Sequence, residues 1–252
     1  MSSEKKDQDV GTFWDHLDVL RSCLIRIVCV VVVMAATAFC FKDILFTVVL
    51  SPGKSDFITY RLLGGEAFSL HMINTGLTEQ FMVHIRVAAY FGLLMASPYV
   101  LYQLFLFVAP ALYENERRYA VRIVSSSYLM FILGTLINYF MIFPLTVKFL
   151  GTYQVSPDVS NMLTIQSYTD TLLSMTFVTG LVFELPVLCW LLSKMRLLKS
   201  SQMRHFRKHS IVAILILSAV ITPSGDAFTM CMVALPIWLL YELSIVIVRR
   251  TE

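Results

Sequence analysis

Long uncharged apolar runs are separated along this chain by short segments that collect the charges, instead of charged and apolar residues alternating. Each run is apolar all round a helix, the pattern of a segment that faces lipid or protein on every side. The first, Leu24 to Phe41, is just long enough to cross a hydrocarbon core of about 30 Å. Further runs cover residues 87–108, 123–147, 171–193, 210–222 and 227–248. The fifth has thirteen residues and reaches only about 20 Å as a helix. It therefore predicts either a helix that extends back into the basic segment before it or a locally thinned bilayer. The stretch from Lys42 to His71, with Ser51-Pro52-Gly53 and Gly64-Gly65, reads as the longest loop, and residues 222–226 as a tight reversal. The second helix is expected to begin near Thr78 and to carry Glu79 and Arg86 above the membrane. Residues 1–23 place Phe13, Leu17 and Leu20 at helical spacing with Leu24 of the first run, beside Trp14, which predicts an interfacial helix on the cytoplasmic membrane surface. The pattern predicts one all-α integral membrane domain, residues 1–252, with six transmembrane helices.

Composition supports that frame: 57% of residues are hydrophobic and 15% charged, and the mean hydropathy is +0.72, which excludes a water-soluble fold. A net charge of +3 without a basic stripe among exposed aromatics gives no nucleic-acid partner. The basic residues report orientation instead. Placing the N-terminus, second loop, fourth loop and C-terminus on one side puts 15 of the 20 Lys and Arg there. Lys42, Lys54, Arg61 and Lys148 fall opposite, and Arg86 lies at a boundary. Both termini are accordingly expected in the cytoplasm. Lys5, Lys6 and Ala36-Thr37-Ala38 mimic a cleaved signal peptide, but the leader is long and carries Asp7, Asp9, Asp15 and Asp18, so the segment is expected to be retained. The five cysteines show no metal-ligand spacing and read as small apolar fillers.

Pro98, Pro144, Pro186 and Pro236 fall inside four of the runs, which predicts a kinked, concave bundle. No catalytic constellation, cofactor motif or metal cluster is legible: Gly53-Lys54-Ser55 lacks the earlier glycine of a phosphate loop, Val48 standing there, and HExxH and GxSxG are absent. What stands out is acids in costly places. Glu184, mid-run, must be neutral, paired or facing water; a neighbouring helix that satisfies it is one reading and a functional contact another. Glu242 sits where it can reach toward Arg249 or Arg250. In the second cytoplasmic loop, Phe107-Val108-Ala109-Pro110-Ala111-Leu112-Tyr113-Glu114-Asn115-Glu116-Arg117-Arg118 presents carboxylates just before a helix. These acids are suited either to a guanidinium brought by a partner or to pairing with the arginines beside them.

Taken in order, these residues resemble the TatC family, the polytopic subunit of the twin-arginine protein translocase. The likeness runs from His16-Leu17-x-x-Leu20-Arg21 through the Phe107–Arg118 loop and Gly134, Tyr139-Phe140 and Pro144. It continues in Phe183-Glu184-Leu185-Pro186, Thr222-Pro223 with Asp226, and Pro236 with Glu242. The resemblance implies a non-enzymatic receptor for twin-arginine signal peptides of folded proteins in the bacterial cytoplasmic (inner) membrane. It also implies assembly with TatA- and TatB-type single-span subunits, self-association, contact with membrane lipids, and export driven by the proton-motive force. Glu116, with Phe107 and Arg21, matches the signal-peptide site, and Glu184 a contact for a partner's transmembrane helix. Pro110, Pro144, Asp226 and Glu242 match other motif positions. Where the family's leader carries a second glutamate, this chain has Val19, and Asp18 beside it is the candidate replacement, about 100° round the helix. Two other classes remain in view: a proton-coupled small-solute transporter that uses Glu184, and a structural scaffold indifferent to Glu116.

Overall fold

The computed structural model describes residues 2–62, 70, 72–108, 120–154, 156, 161–222 and 226–251. Residues 2–39 form one helix, α1 (Ser2–Phe39), with no break between the leader and the first apolar run. The expected long loop contains two further helices, α2 (Lys42–Leu50) and α3 (Ile58–Leu62), joined by a 3₁₀ turn at Ser51–Gly53. In α2, Leu45 and Val49 lie one turn apart and are buried, so an amphipathic stripe outweighs the turn residues that follow it. After strand β1 (Met72–Ile73) come α4 (Glu79–Val108) and α5 (Ala120–Ile137). A π-helical turn over Asn138–Ile142 then leads into α6 (Phe143–Thr152). Strand β2 (Leu163–Thr164) pairs in parallel with β1, Met72 beside Leu163. The chain continues through α7 (Ile165–Val182), α8 (Leu185–Lys194), α9 (Ser200–His205), α10 (Arg207–Ile221) and α11 (Ala227–Thr251).

Among the described residues, five stretches are long and apolar enough to cross a membrane: Leu17–Phe39, Glu79–Phe107, Ile123–Thr152, Ile165–Lys194 and Ala227–Thr251. The short fifth run is lengthened at its front, α10 beginning at Arg207, and its 15 residues reach roughly 22 Å. Large apolar side chains stand exposed on the flanks, Val33 at 61% and Val220 at 78%, as lipid-facing positions require. Inside, Val83 and Val87 of α4, Phe143 of α6, Met175 of α7 and Ile237 of α11 share one buried cluster.

The prolines act differently from one another. Pro98 and Pro236 stay inside continuous helices. Pro144 and Pro186 each stand in the first turn of a new helix. Pro144 has no N–H for the carbonyl of Phe140. That carbonyl instead accepts the hydroxyl of Thr59 from α3, and the backbone widens into the π turn. Tyr60, buried beside it, has its hydroxyl 2.8 Å from the carbonyl of Pro52 and 2.9 Å from that of Pro144. Burial pushes this phenol well above the ordinary tyrosine value, so it remains a donor. The segment expected to be a loop is thus sewn to the proline break of the third span.

Helices α1 and α4 pack closely and run antiparallel. Gly92 meets Ala35 so tightly that a Cβ built on it would fall 2.4 Å from the Ala35 nitrogen, the close approach that small residues permit between membrane helices. Nearer the other end of the pair, the Cys23 thiol lies 3.6 Å from the carbonyl of Gln103. Glycines also make room between α5 and α7: a Cβ on Gly134 would meet the side chain of Phe183, just after α7, and one on Gly180 would meet that of Phe131.

Candidate functional site

The α1–α4 register decides which leader residues lie near the second loop. Ala35 faces Gly92 and Cys23 faces Gln103, so Arg21 falls level with residue 105 and Asp18 with residue 108, where α4 ends. Asp18 and Arg21 are both exposed, and neither takes part in an ion pair among the described residues. Phe107 is half-buried in the last turn of the same helix. Three of the four residues expected at the signal-peptide site thus share one end of one helix pair. Glu116 and Pro110 lie outside the described residues.

Glu184 sits at a second place, the break between α7 and α8. Pro186 cannot donate to the carbonyl of Val182, so the helix tightens there, and the Glu184 N–H bonds back three residues to Leu181 at 3.0 Å. The turn aims the carboxyl at α5, where the hydroxyl of Ser127 donates to its Oε2. Oε1 is buried without a hydrogen-bond partner. Glu184 is thus satisfied on one side by a neighbouring helix and still carries an unused acceptor, in a residue only 7% exposed. Ser127 was not singled out by the sequence, because three consecutive serines at the start of an apolar run carry no positional signal.

Two further motif residues make local contacts. Asp226 precedes α11 and accepts the backbone N–H of Thr229 at 2.7 Å, closing the helix start. Glu242 does not turn to Arg249 or Arg250. It pairs at 2.6 Å with Arg207, the first residue of α10, because α10 packs against α11 and brings that guanidinium sideways, nearer than the arginines two turns along its own helix.

At the opposite end from the basic segment between α8 and α10, two acids organise the fold: Glu79, which begins α4 as the sequence led one to expect, and Asp170, which the sequence reading missed. Arg86 of α4 donates to Asp170 of α7 from one nitrogen, 2.7 and 2.5 Å from the two carboxylate oxygens. Glu79, the first residue of α4, accepts the N–H groups of Thr75 (3.0 Å) and Gly76 (2.8 Å) and the Thr75 hydroxyl (3.1 Å) on Oε2, and the N–H of Gln166 (3.3 Å) on Oε1. The only available signal was position, since Arg86 and Asp170 each stand just before an apolar run. No group of His, Cys, Asp and Glu suited to a metal occurs among the described residues.

A family model described as Sec-independent protein translocase protein (TatC) matches residues 15–236. The chain belongs to the TatC family. It is 30% identical over 258 residues to the TatC protein of Blattabacterium sp. subsp. Periplaneta americana, covering 96% of this chain and 97% of that one. It is 41% identical over 168 residues to the TatC of Koribacter versatilis, covering 67% and 61%. A solved twin-arginine translocase receptor TatC superposes with a TM-score of 0.80 at 30% identity, over 94% of this chain and 99% of that one. Membership makes the chain a multi-pass helical component of the Sec-independent, twin-arginine protein translocase, as its motifs implied. The solute-transporter alternative is set aside on the same ground.

Proposed function

We propose that this TatC-family chain is the receptor subunit that captures the arginine pair of twin-arginine signal peptides at the shared end of α1 and α4. Glu116 supplies the principal carboxylate, Asp18 the second, and Phe107 and Arg21 frame the site. The observation that supports this most is the antiparallel α1–α4 register, which sets Asp18 and Arg21 level with the residue from which the Glu116 loop departs. Two adjacent guanidiniums match compact carboxylates, and the low dielectric near the membrane edge strengthens the contact without any bond being made or broken. In this reading the chain is a single membrane domain, residues 1–252. It crosses the bacterial inner membrane six times, α10 included, and keeps both termini in the cytoplasm, as the Lys and Arg distribution favours. Glu184, with its unused Oε1, offers a hydrogen-bond acceptor to the transmembrane helix of a TatA- or TatB-type partner.

The test is Glu116→Gln, which keeps shape and removes charge. Export of a twin-arginine substrate and photocrosslinking to its signal peptide are both expected to be lost, while the protein remains inserted at normal level. Normal crosslinking and export in that variant would refute the assignment.

A further inference from the structure

From α8 to α11 the chain collects basic residues and almost no acid. Residues 194–209 contain no Asp or Glu, and Glu242 is the one acid in residues 185–222 and 227–251. That carboxylate is already taken, 2.6 Å from Arg207. Arg196, Lys199, Arg204, Lys208, Arg249 and Arg250 are all exposed, and none takes part in an ion pair among the described residues. Like charges gathered in this way repel one another unless counter-charge comes from outside the chain.

Packing makes these charges one surface. Helix α9 lies against the end of α11: Met203 shares a buried cluster with Ile245 and Val248, and the Tyr241 hydroxyl donates to the Met203 carbonyl at 2.7 Å. Lys199 and Arg204, on either side of Met203, are thereby brought to the same end of the bundle as Arg249 and Arg250, which directly follow Val248. That end lies at the edge of the hydrocarbon, because the apolar stretches Ile165–Lys194 and Ala227–Thr251 both finish there and α10 starts there at Arg207. Two large apolar side chains stand out among the charges, Leu197 at 65% exposure and Phe206 at 52%. Leu197 follows the turn that closes α8, in which Arg196 takes a φ of 59°. Phe206 has the rings of His205 and His209 edge-on at 5.3 and 5.7 Å. Water solvates Leu197 and Phe206 poorly, and acyl chains solvate guanidinium and ammonium groups poorly. The surface therefore fits a layer that offers both environments, phosphates above the first methylenes of a bilayer.

We infer that residues 194–209, with Arg249 and Arg250, form a docking surface for anionic phospholipid. The cations meet phosphodiesters whose charge no headgroup ammonium offsets, while Leu197 and Phe206 enter among the acyl chains. A zwitterionic lipid satisfies the apolar pair equally but brings the cations no net charge, so headgroup charge is what the surface selects. Docking needs only a bilayer at this end of the bundle and depends neither on which side of the membrane that end faces nor on the signal-peptide reading.

The test uses the full-length protein purified in neutral detergent and titrated with phosphatidylglycerol or with phosphatidylcholine of the same acyl chains. Retained lipid is counted by native mass spectrometry. Phosphatidylglycerol is expected to bind about 25-fold more tightly, from two engaged cations worth about fivefold each. Raising the salt from about 0.05 M to about 0.5 M should reduce that preference severalfold. Lys199→Gln with Arg204→Gln should bring the preference close to one while leaving phosphatidylcholine retention unchanged. Lys42→Gln with Lys54→Gln, which removes the same charge from the opposite end of the bundle, should leave the preference intact. Phe206→Ser should weaken retention of both lipids. Unchanged thermal unfolding shows each variant to be folded, and if the Lys199 and Arg204 variant fails to fold, Lys208→Gln with Arg250→Gln takes its place. Equal retention of the two lipids by the unmodified protein would overturn the inference, as would no retained lipid, or an equal loss of preference in the Lys42 and Lys54 variant. So would a photocrosslinker at Leu197 that captures an acidic polypeptide in membranes in place of lipid.

Discussion

Glu79 ties two segments together at the far end of this protein, and replacing it by glutamine tests that tie. Its carboxylate accepts three hydrogen bonds from Thr75 and Gly76 and one from Gln166, and so joins the segment before α4 to the first turn of α7. The residue is only 7% exposed, so water replaces these bonds poorly. Glutamine keeps one acceptor oxygen. If that oxygen faces Thr75 and Gly76, the amide NH₂ faces the N–H of Gln166, donor against donor; if it is flipped, the clash moves to the stronger pair. Bonds to a charged group contribute about 1.5–3 kcal/mol and neutral ones about 0.5–1.5. Allowing for mutual relaxation, Glu79→Gln should cost about 2 kcal/mol, and Glu79→Ala, which strands all three backbone donors, about 4 kcal/mol. The assay is amide hydrogen exchange in detergent micelles, read at Thr75, Gly76 and Gln166. A loss of about 2 kcal/mol accelerates exchange about 30-fold if local opening limits it, and amides in the middle of α5 should not change. Unaltered exchange at Gln166 in both variants would show that the carboxylate does not tie α7 to α4.

Two further perturbations address the helix contacts. Gly92→Ala should lower the yield of folded protein sharply, at a cost of about 3 kcal/mol or more for overpacking. Ala35→Gly should not rescue it, because the nearest atoms to the new Cβ are the backbone N and Cα of Ala35; full rescue in a thermal-stability assay would disprove the close crossing. Between Ser127 and Glu184, a double-mutant cycle with Ser127→Ala and Glu184→Ala should give a coupling of about 0.6–1.7 kcal/mol in detergent, and zero coupling would remove that hydrogen bond from the account. In membranes, Glu184→Ala should also weaken crosslinking to a single-span partner, whereas Ser127→Ala, which frees the carboxyl, should not.

The helical membrane class, the apolar runs and the family were legible in the sequence, because lipid demands uninterrupted apolar helices and because the TatC motifs occur in order along the chain. Lys42 to His71 misled, since turn residues and charges masked the short buried stripe of Leu45 and Val49. The partners of the acids were not legible at all. Glu242 had arginines on its own helix, yet Arg207 from α10 lies closer across the packed interface. Glu184 announced itself by its position, but the choice of Ser127 depends on how Gly134 and Gly180 let α5 and α7 approach. Asp18 and Arg21 gain their relation to the second loop only through the α1–α4 register, set by Gly92 against Ala35. Sequence alone therefore determined which segments enter the membrane and where polar groups stand along them, since burial in lipid is a property of each segment separately. Which polar groups meet was decided by the tertiary structure, because meeting depends on rotation and register between helices, and those follow from side-chain packing across the whole bundle.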